Sequence, residues 1–416
     1  MEYKVGDLCT FQEGYVNPSQ KIEKYFDGPH KWVRAVDVNN NEIFNTSRTL
    51  SEEGFKSAKK SAYKFPANSI VITKSGTIGR VAIIKDEMAG NRATINIVPN
   101  EKLVNLYYLF YLLITKRQDL ENLAVGSVQK NLYISVLSTL KINVPELKKQ
   151  NKIAKVLKSI DDKIASNRHI IASLEELSQT LFKRWFVDFE FPDEDGNPYK
   201  SSDGEMIDSE LGKIPKGWIV KSLDEIANYI NGLAMQKYPA NKEESLPIVK
   251  IKELKNGFTD ENSNRCTTEI PEKAKIDNGD IIFSWSATLI VKMWAGGKAG
   301  LNQHLFKVTS EAFPKWFYYL WTKRYIEYFI NIANDKATTM GHINRKHLSH
   351  AKIVLPTQLQ LENFDKIFHN LLEKQLNTEE EIKRLIDVRD TLLPKLMSGE
   401  LEIPDDIEVN IDELSI

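Results

Sequence analysis

The chain has 416 residues, with 56 lysines and arginines against 57 aspartates and glutamates, and its formal net charge is −1. This length is more than one ordinary hydrophobic core needs and predicts two to four folded units. Its two cysteines, Cys9 and Cys266, exclude a disulfide framework and a cysteine metal cluster. With no signal peptide and no apolar run of about 18 residues, we expect a cytoplasmic protein.

The charge is unevenly distributed along the chain. Residues 1–145 carry 19 basic and 14 acidic side chains, and residues 211–356 carry 21 and 14. Residues 191–210 carry seven acids and one lysine, and residues 401–416 carry six acids and no base. The two longer segments are therefore basic, which is the distribution expected of segments that bind a polyanion.

The first local motif is a glycine-containing turn, "ITKSGTIGRVAI", at residues 72–83. Gly76 and Gly79 are three apart, and Arg80 stands where a Walker A loop needs its lysine. A strand-like run follows, where a dinucleotide-binding loop would lead into a helix. The pattern predicts a β-hairpin. It leaves open a purely structural turn, a hairpin tip that contacts a polar ligand, and a nucleotide loop.

Each basic segment continues into an aromatic helix. The runs "NLYYLFYLLITKRQDLENLA" at 105–124 and "PKWFYYLWTKRYIEYFINIA" at 314–333 have helical periodicity. We interpret most of their aromatic side chains as core residues, not as platforms on which bases stack. Strands and helices together predict a mixed α+β fold.

The whole pattern occurs twice, with an offset of 211 residues. "KINVP" at 141–145 corresponds to "KIVLP" at 352–356, and "GNRATINIV" at 90–98 corresponds to "LNQHLFKVT" at 301–309. The same offset pairs Asn91 with Asn302 and Thr77 with Thr288. We therefore expect one structural unit to be built twice.

A long segment with heptad spacing follows each Lys-Ile-x-x-Pro motif. Steps of four and three residues predict helices of about 40 residues that pack along a coiled-coil seam. The first seam is Ile153, Leu157, Ile160, Ile164, Asn167, Ile171, Leu174, Ser178 and Leu181. The second is Phe364, Phe368, Leu371, Gln375, Thr378, Ile382, Leu385, Arg389 and Leu392.

Antiparallel packing of the two helices would place the basic domains at opposite ends of a rod, which would then act as a ruler. Asn167 and its equivalent Thr378 are polar seam positions. They either fix the register of the helices or mark an imperfect, water-accessible seam, and the sequence favours neither.

We therefore predict two pseudo-repeated domains separated by two long antiparallel coiled-coil helices. The predicted segments are a first basic domain at 1–145, a helix at 146–190, an acidic linker at 191–213, a second basic domain at 214–356, a second helix at 357–398 and an acidic tail at 399–416.

Several runs make the chain resemble the specificity subunit of Type I restriction–modification systems. They are "LFKRWFVDFEFP" at 181–192, "YKSSDGEMIDSELGKIPKGW" at 199–218, "TLLPKLMSGEL" at 391–401, the duplicated "SGTIG" and "SATLI" turns, and "NQHLFKV" at 302–308. The resemblance covers essentially the whole chain, and the internal repeat makes it specific.

The resemblance implies a sequence-specific subunit that binds double-stranded DNA. Each basic domain would be a target recognition domain that reads one half of a bipartite target. The helices would set the spacing and dock two methyltransferase subunits, and restriction/translocase subunits would complete the complex. S-adenosylmethionine, ATP and magnesium would bind to those partners, with no cofactor on this chain. The alternative is a modification-only or regulatory complex without the restriction subunit, and co-purification of a translocase distinguishes the two.

The motifs agree with a subunit that has no catalytic residues of its own. "GNPY" at 196–199 has one proline where an adenine methyltransferase loop has two, so we interpret it as a turn. No Walker A loop is present. His342, His347 and His350 lack a suitable fourth ligand nearby in the sequence, so we predict no metal site. A free-standing nucleic-acid enzyme remains a third reading, and cleavage or methylation of DNA by the purified chain alone would support it.

Polar residues in turns are the candidate DNA contacts, because hairpin tips and loops can reach phosphates and base edges. In the first half they are Lys74, Ser75, Thr77, Arg80, Asn91, Arg92, Gln129, Lys130 and Asn131. In the second half they are Ser284, Trp285, Ser286, Thr288, Lys292, Asn302, Gln303, His304, Thr338, Thr339, His342, Asn344 and Arg345.

Equivalent candidates divide into two kinds. Asn91 and Asn302 are identical in both halves, which favours a structural role or a phosphate contact. Pairs that differ, such as Arg92 against Gln303, are better candidates for base readout, since the two halves are expected to read different sequences.

Overall fold

The structure is a computed structural model of the whole chain, and it describes residues 1–126, 130–240, 244–335 and 342–404. The chain divides into two units, the first formed by residues 1–163 together with 387–416 and the second by residues 164–386. Each unit therefore contains part of both long helices. Among the described residues, no helix is both long and apolar enough to cross a membrane.

The first unit contains short strands and helices that lead into the first long helix. Its strands are β1 Glu2–Lys4, β2 Cys9–Glu13, β3 Phe26–Val33, β4 Asn41–Ile43, β5 Thr49–Leu50, β6 Lys64–Phe65, β7 Ser69–Thr73, β8 Val81–Ile84, β9 Met88–Gly90, β10 Thr94–Pro99 and β11 Lys141–Asn143. Its helices are α1 Val5–Leu8, α2 Glu52–Lys56, α3 Leu106–Thr115, α4 Arg117–Leu123, α5 Ile134–Leu137 and α6 Leu147–Phe186, the last of which continues into the second unit.

The second unit repeats this arrangement. Its strands are β12 Met206–Ser209, β13 Gly212–Pro215, β14 Ile219–Ser222, β15 Asn228–Asn231, β16 Ser245–Val249, β17 Arg265–Thr267, β18 Lys275–Ile276, β19 Ile281–Ser284, β20 Ile290–Met293, β21 Ala299–Leu301, β22 Leu305–Thr309 and β23 Lys352–Leu355. Its helices are α7 Leu223–Ile226, α8 Ile251–Asn256, α9 Lys315–Arg324, α10 Ile326–Asp335, α11 Arg345–His350 and α12 Gln358–Ser398, whose last turns belong to the first unit.

Each unit contains two larger sheets in addition to two-stranded ones such as β1-β11 and β14-β23. In the first unit, the strand order is β2-β10-β7-β8-β4 in one larger sheet and β5-β3-β9-β6 in the other. In the second unit, the corresponding orders are β15-β22-β19-β20 and β17-β16-β21-β18. Buried aliphatic residues along β7 and β8 explain why these strands form the centre of the first sheet. The mixed α+β class and the duplication are confirmed.

The register of the sheets shows where a single offset of 211 is insufficient. Tyr3 of β1 lies opposite Ile142 of β11, and Lys221 of β14 lies opposite Ile353 of β23. Ile142 and Ile353 are 211 residues apart, whereas Tyr3 and Lys221 are 218 apart. The second half is therefore seven residues shorter between its first strands and its central hairpin, and the aligned motifs of the sequence did not reveal this.

The two long helices pack antiparallel to one another. In the second unit, Trp185 near the end of α6 packs against Phe364 near the start of α12, with ring centroids 4.8 Å apart. In the first unit, Arg389 near the end of α12 donates to Asp161 of α6 at 2.8 Å. The first seam is buried from Ile153 to Asn167 and half-buried from Ile171 to Leu181, as its heptad spacing predicts.

The polar seam residues are buried, so the seam is not water-accessible there. Asn167 is 1% exposed, and its Nδ2 atom has no hydrogen-bond partner among the described residues. Thr378 is 3% exposed and donates its hydroxyl to the Lys374 carbonyl one turn earlier. The two equivalent positions are thus satisfied to different degrees.

The acidic linker contains ordered structure. Phe191 is buried, and its ring stacks on Tyr199 and Trp218 at 4.6 and 5.0 Å. The "GNPY" residues form a turn in which Gly196 has a φ of +83°. The acidic composition of the linker hid this aromatic core.

Candidate nucleic-acid interface

Three segments of the first unit converge at one end of its larger sheet. The Lys74 amide donates to the Ala93 carbonyl at 2.8 Å, and the Leu132 amide donates to the Lys74 carbonyl at 2.9 Å. Ser75 also forms a bridge with Asn131. The hairpin turn 74–80, the loop 91–93 and the loop 130–132 thus form one surface, which we call the first recognition surface.

The second unit builds the same arrangement from equivalent positions. The Trp285 amide approaches the His304 carbonyl at 3.4 Å, and the Ile343 amide donates to the Trp285 carbonyl at 3.1 Å. Ser286 forms a bridge with His342. Each of these positions is 211 residues after its counterpart. We call residues 285–289, 302–304 and 342–344 the second recognition surface.

The glycine turn is the tip of an antiparallel hairpin, since β7 pairs directly with β8. Thr73 closes it, because its Oγ1 accepts from the Arg80 amide at 3.0 Å and donates to the Thr77 carbonyl. Gly76 has a φ of +74°, and its equivalent Ala287 keeps the left-handed conformation with a φ of +56°. The turn therefore persists in both units without a glycine at this position in the second.

Asn91 and Asn302 shape their loops in the same way. The Asn91 Oδ1 accepts from the Ala93 amide at 3.0 Å, and the Asn302 Oδ1 accepts from the His304 amide at 3.3 Å. Each backbone carbonyl also accepts from the amide three residues later, at 3.0 Å in both loops. Their carboxamide oxygens thus accept hydrogen bonds within the chain. Of the two roles considered for this identical pair, these bonds favour the structural role over a phosphate contact.

The remaining candidates differ in exposure. Thr77, Arg92, Lys130, Thr288, His304, His342, Asn344 and Arg345 are exposed, and Ser75, Arg80, Asn131, Trp285 and Gln303 are half-buried. Ser284 and Ser286 are buried, so their side chains face the protein. Gln129, Thr338 and Thr339 lie outside the described residues.

Three basic candidates are engaged by protein atoms. The Lys74 Nζ lies 3.1 Å from the Glu13 carboxylate. Arg345 donates to the Tyr229 carbonyl at 3.0 Å. Lys292 lies away from the hairpin tip. Its Nζ donates to the Lys255 carbonyl at 3.4 Å, and its charge only partly opposes the rise that burial causes in the pKa of the Glu379 carboxyl on α12.

Trp285 occupies the position equivalent to Lys74. Its ring lies 5.8 Å from His304, 5.8 Å from Phe306 and 6.4 Å from His342. Its Nε1 atom is buried without a hydrogen-bond partner among the described residues. The same backbone position thus holds a cation in one unit and an aromatic ring in the other.

Glu13, which ends β2 beside the first recognition surface, is a further residue of this site that was not predicted from the sequence. Besides contacting Lys74, Glu13 raises the pKa of the nearby Tyr15 phenol. The Tyr63 hydroxyl donates to the Glu13 carbonyl at 2.8 Å. A single acid in a basic segment has no recognisable spacing, and only the strand order shows that it is adjacent to the hairpin turn.

The fold and the two surfaces define a class of protein: a duplicated binding module with matching backbones, different side chains and long connecting helices. The Type I restriction modification DNA specificity domain family model matches residues 1–176 and 215–386. The chain belongs to this family, whose members are non-catalytic DNA-recognition subunits.

Individual relatives cover nearly the whole chain. The MjaIX specificity subunit of Methanocaldococcus jannaschii is 30% identical over 96% of this chain and 93% of its own length. The HindI specificity subunit of Haemophilus influenzae is 23% identical over 96% and 99%. The solved S subunit from M. genitalium has the same fold, with a TM-score of 0.57, 16% identity and coverage of 98% of this chain and 96% of that one.

Proposed function

We propose that this chain is the sequence-specific DNA-binding subunit of a Type I restriction–modification complex in the cytoplasm. Its two recognition surfaces each read one half of a bipartite target in double-stranded DNA. The chain supplies recognition only, while methyltransferase subunits bind S-adenosylmethionine and restriction subunits use ATP and magnesium.

The observation that carries this proposal is the repetition of one backbone arrangement with different side chains. Lys74 and Trp285 have equivalent hydrogen bonds, as do Ala93 and His304. Base readout depends on the donor and acceptor pattern of side chains in the major groove, whereas backbone geometry sets their position. Two matching frameworks with unlike side chains are suited to reading two different short sequences.

The long helices are proposed to set the gap between half-sites and to dock two methyltransferase subunits. Ile170 and Leu177 of α6 are 38% and 51% exposed. They are seven residues apart and therefore lie on the same helical face. An apolar pair on an exposed helix is suited to a protein partner rather than to DNA.

The test is to co-express the chain with its methyltransferase partner and to map methylated adenines by long-read sequencing. We expect one motif with two specified halves and an unspecified gap of fixed length. Replacing residues 1–140 with the first domain of another family member should change one half-site alone. A contiguous motif, or simultaneous change of both half-sites, would contradict the proposal.

A further inference from the structure

Glu13 is a carboxylate at the edge of a surface proposed to meet a polyanion. Glu13 ends β2, β2 pairs with β10, and β10 pairs with β7, so Glu13 lies at the sheet end that carries Lys74 and the turn. Its side chain is 22% exposed and that of Lys74 is 16% exposed. The carboxylate is therefore at the rim of the first recognition surface and partly accessible.

Two neighbours hold this carboxylate in place. Lys74 approaches it at 3.1 Å, and Tyr15 lies near enough for the carboxylate to raise the pKa of its phenol. A carboxylate has about four acceptor positions, so these two neighbours leave acceptor capacity free. Lys74 also offsets part of the repulsion between the carboxylate and DNA phosphates.

The chemistry of DNA restricts what this remaining capacity can bind. Phosphates repel a carboxylate, while the exocyclic amino groups of bases donate hydrogen bonds in the major groove. Cytosine N4 is the donor for which Glu and Asp are the usual acceptors. A fixed carboxylate at the rim is thus suited to a base edge and unsuited to the backbone.

The second unit places a different base-reading side chain at this position. Glu13 lies opposite Ile95, and Asn231 lies opposite Phe306. Ile95 and Phe306 are equivalent at the offset of 211, so Glu13 and Asn231 occupy the same sheet position. Asn231 is exposed, and asparagine is the usual partner of adenine. This position therefore varies between the units as a specificity position should.

We propose that Glu13 is a specificity-determining residue, whose carboxylate accepts a hydrogen bond from the 4-amino group of one cytosine in the first half-site. Lys74 and Tyr15 act as positioning residues that orient the carboxylate. This inference rests on the proposed function and adds to it the class of base read by one side chain.

The experiment compares the adenine methylation motifs produced by wild type, Glu13→Gln and a matched control, each in complex with the methyltransferase subunits. Glu42 is the control, because it also has one lysine and one tyrosine partner, Lys85 at 3.5 Å and Tyr107 at 2.5 Å. Glu42 lies in β4, opposite Ile83 of β8 and away from the hairpin turn.

We expect Glu13→Gln to relax one C·G position of the first half-site by roughly ten- to hundredfold in discrimination. The second half-site and the gap should be unchanged, and Glu42→Gln should leave the entire motif intact. The unchanged second half-site reports that the variant is folded. Glu13→Asp, which withdraws the carboxylate by one methylene, should relax the same position and serves if Glu13→Gln fails to fold.

Two outcomes overturn the inference, and they differ from failure of the proposed function. A bipartite wild-type motif that Glu13→Gln and Glu13→Asp leave fully specified shows that Glu13 reads no base. Equal relaxation in Glu42→Gln shows a general effect of removing a carboxylate. Absence of any bipartite motif in wild type instead refutes the proposed function.

Discussion

At the scale of single residues, the left-handed position in the two hairpin turns gives a direct test of the repeat. Ala287 holds a φ of +56° where Gly76 holds +74°. Left-handed backbone costs a non-glycine residue about 1–2 kcal/mol, and replacing alanine by glycine loses about 0.4–1 kcal/mol through the unfolded chain. We expect Ala287→Gly to raise the free energy of unfolding by up to about 1 kcal/mol, measured by calorimetry.

The reciprocal substitution has a clear steric expectation. A Cβ at Gly76 meets no heavy atom within 4 Å, so Gly76→Ala should cost the conformational strain of about 1–2 kcal/mol less the gain of about 0.4–1 kcal/mol through the unfolded chain. The hairpin should remain intact. A decrease of several kcal/mol in the free energy of unfolding would contradict the open space around Gly76, because it would require a steric clash with the new methyl group.

The sequence predicted which residues of the two turns occupy equivalent positions, but it did not predict which side chains surround them. The offset of 211 paired Asn91 with Asn302, and in the structure the same offset relates Lys74 to Trp285; both pairs have equivalent backbone hydrogen bonds. The ion pair between Lys74 and Glu13 joins positions 61 residues apart. Nothing in local spacing indicates such a contact, because it depends on which strands are neighbours.

At the scale of elements, the seam between the long helices contains a buried polar atom that can be removed. Asn167 is 1% exposed and its Nδ2 is unpaired among the described residues. A buried polar group without a partner costs about 1–3 kcal/mol. We therefore expect Asn167→Leu to raise the free energy of unfolding by about that amount.

The equivalent residue provides the control for this substitution. Thr378 already donates to a backbone carbonyl, so Thr378→Val should bring a smaller gain or none. A lower stability of Asn167→Leu would mean that the amide is satisfied and helps to fix the register of the seam, as polar seam residues can.

A buried acid on α12 predicts a pH dependence. Burial raises the pKa of Glu379 above its usual range. Stability linked to the protonated carboxyl is present below the unfolded-state pKa and is lost as the pH rises through the folded-state value. Glu379→Gln should therefore gain stability over wild type at pH 8 and not at pH 4, measured by thermal melting.

The charged and polar groups that face Glu379 set the size of this effect. They are Gln375, Lys292, Glu175 and Lys323. Glu362, which is exposed on the same helix, supplies the control: Glu362→Gln should leave the pH profile unchanged. A Glu379→Gln profile parallel to wild type would show that Glu379 does not titrate in this interval.

The elements could be predicted where apolar residues recur at regular spacing along one helix face. They could not be predicted where burial depends on residues that have no regular spacing in the sequence. Heptad spacing predicted the long helices, and the observed α6 begins at Leu147 and ends at Phe186. The acidic composition of 191–213 did not predict the stacked ring of Phe191, because its partners Tyr199 and Trp218 bury it without any local periodicity.

At the scale of the whole molecule, the proposed ruler can be lengthened. Arg389 contacts Asp161 in the antiparallel pair, so insertions after residues 163 and 386 face one another. One heptad in each helix adds about 10.5 Å at about 1.5 Å per residue, which corresponds to about three base pairs at about 3.4 Å each. We expect a longer gap between the half-sites, or loss of methylation, with both half-sites unchanged.

Insertion into one helix alone is the control, because it mismatches the seam and should destabilise the chain. Mapping of methylated adenines reads both half-sites and the gap together. An altered half-site with an unchanged gap would contradict the ruler.

The end of α12 completes the core of the first unit, so this unit cannot finish folding until almost the whole chain has been synthesised. Leu393 and Leu396 share a core with Ile153 and Leu157. At about 5–20 residues per second, synthesis of the intervening residues takes roughly 10 to 45 s. During that time the nascent first unit exposes an apolar helix face that its own chain has not yet covered, so its biogenesis is expected to depend on chaperones more than that of a contiguous domain.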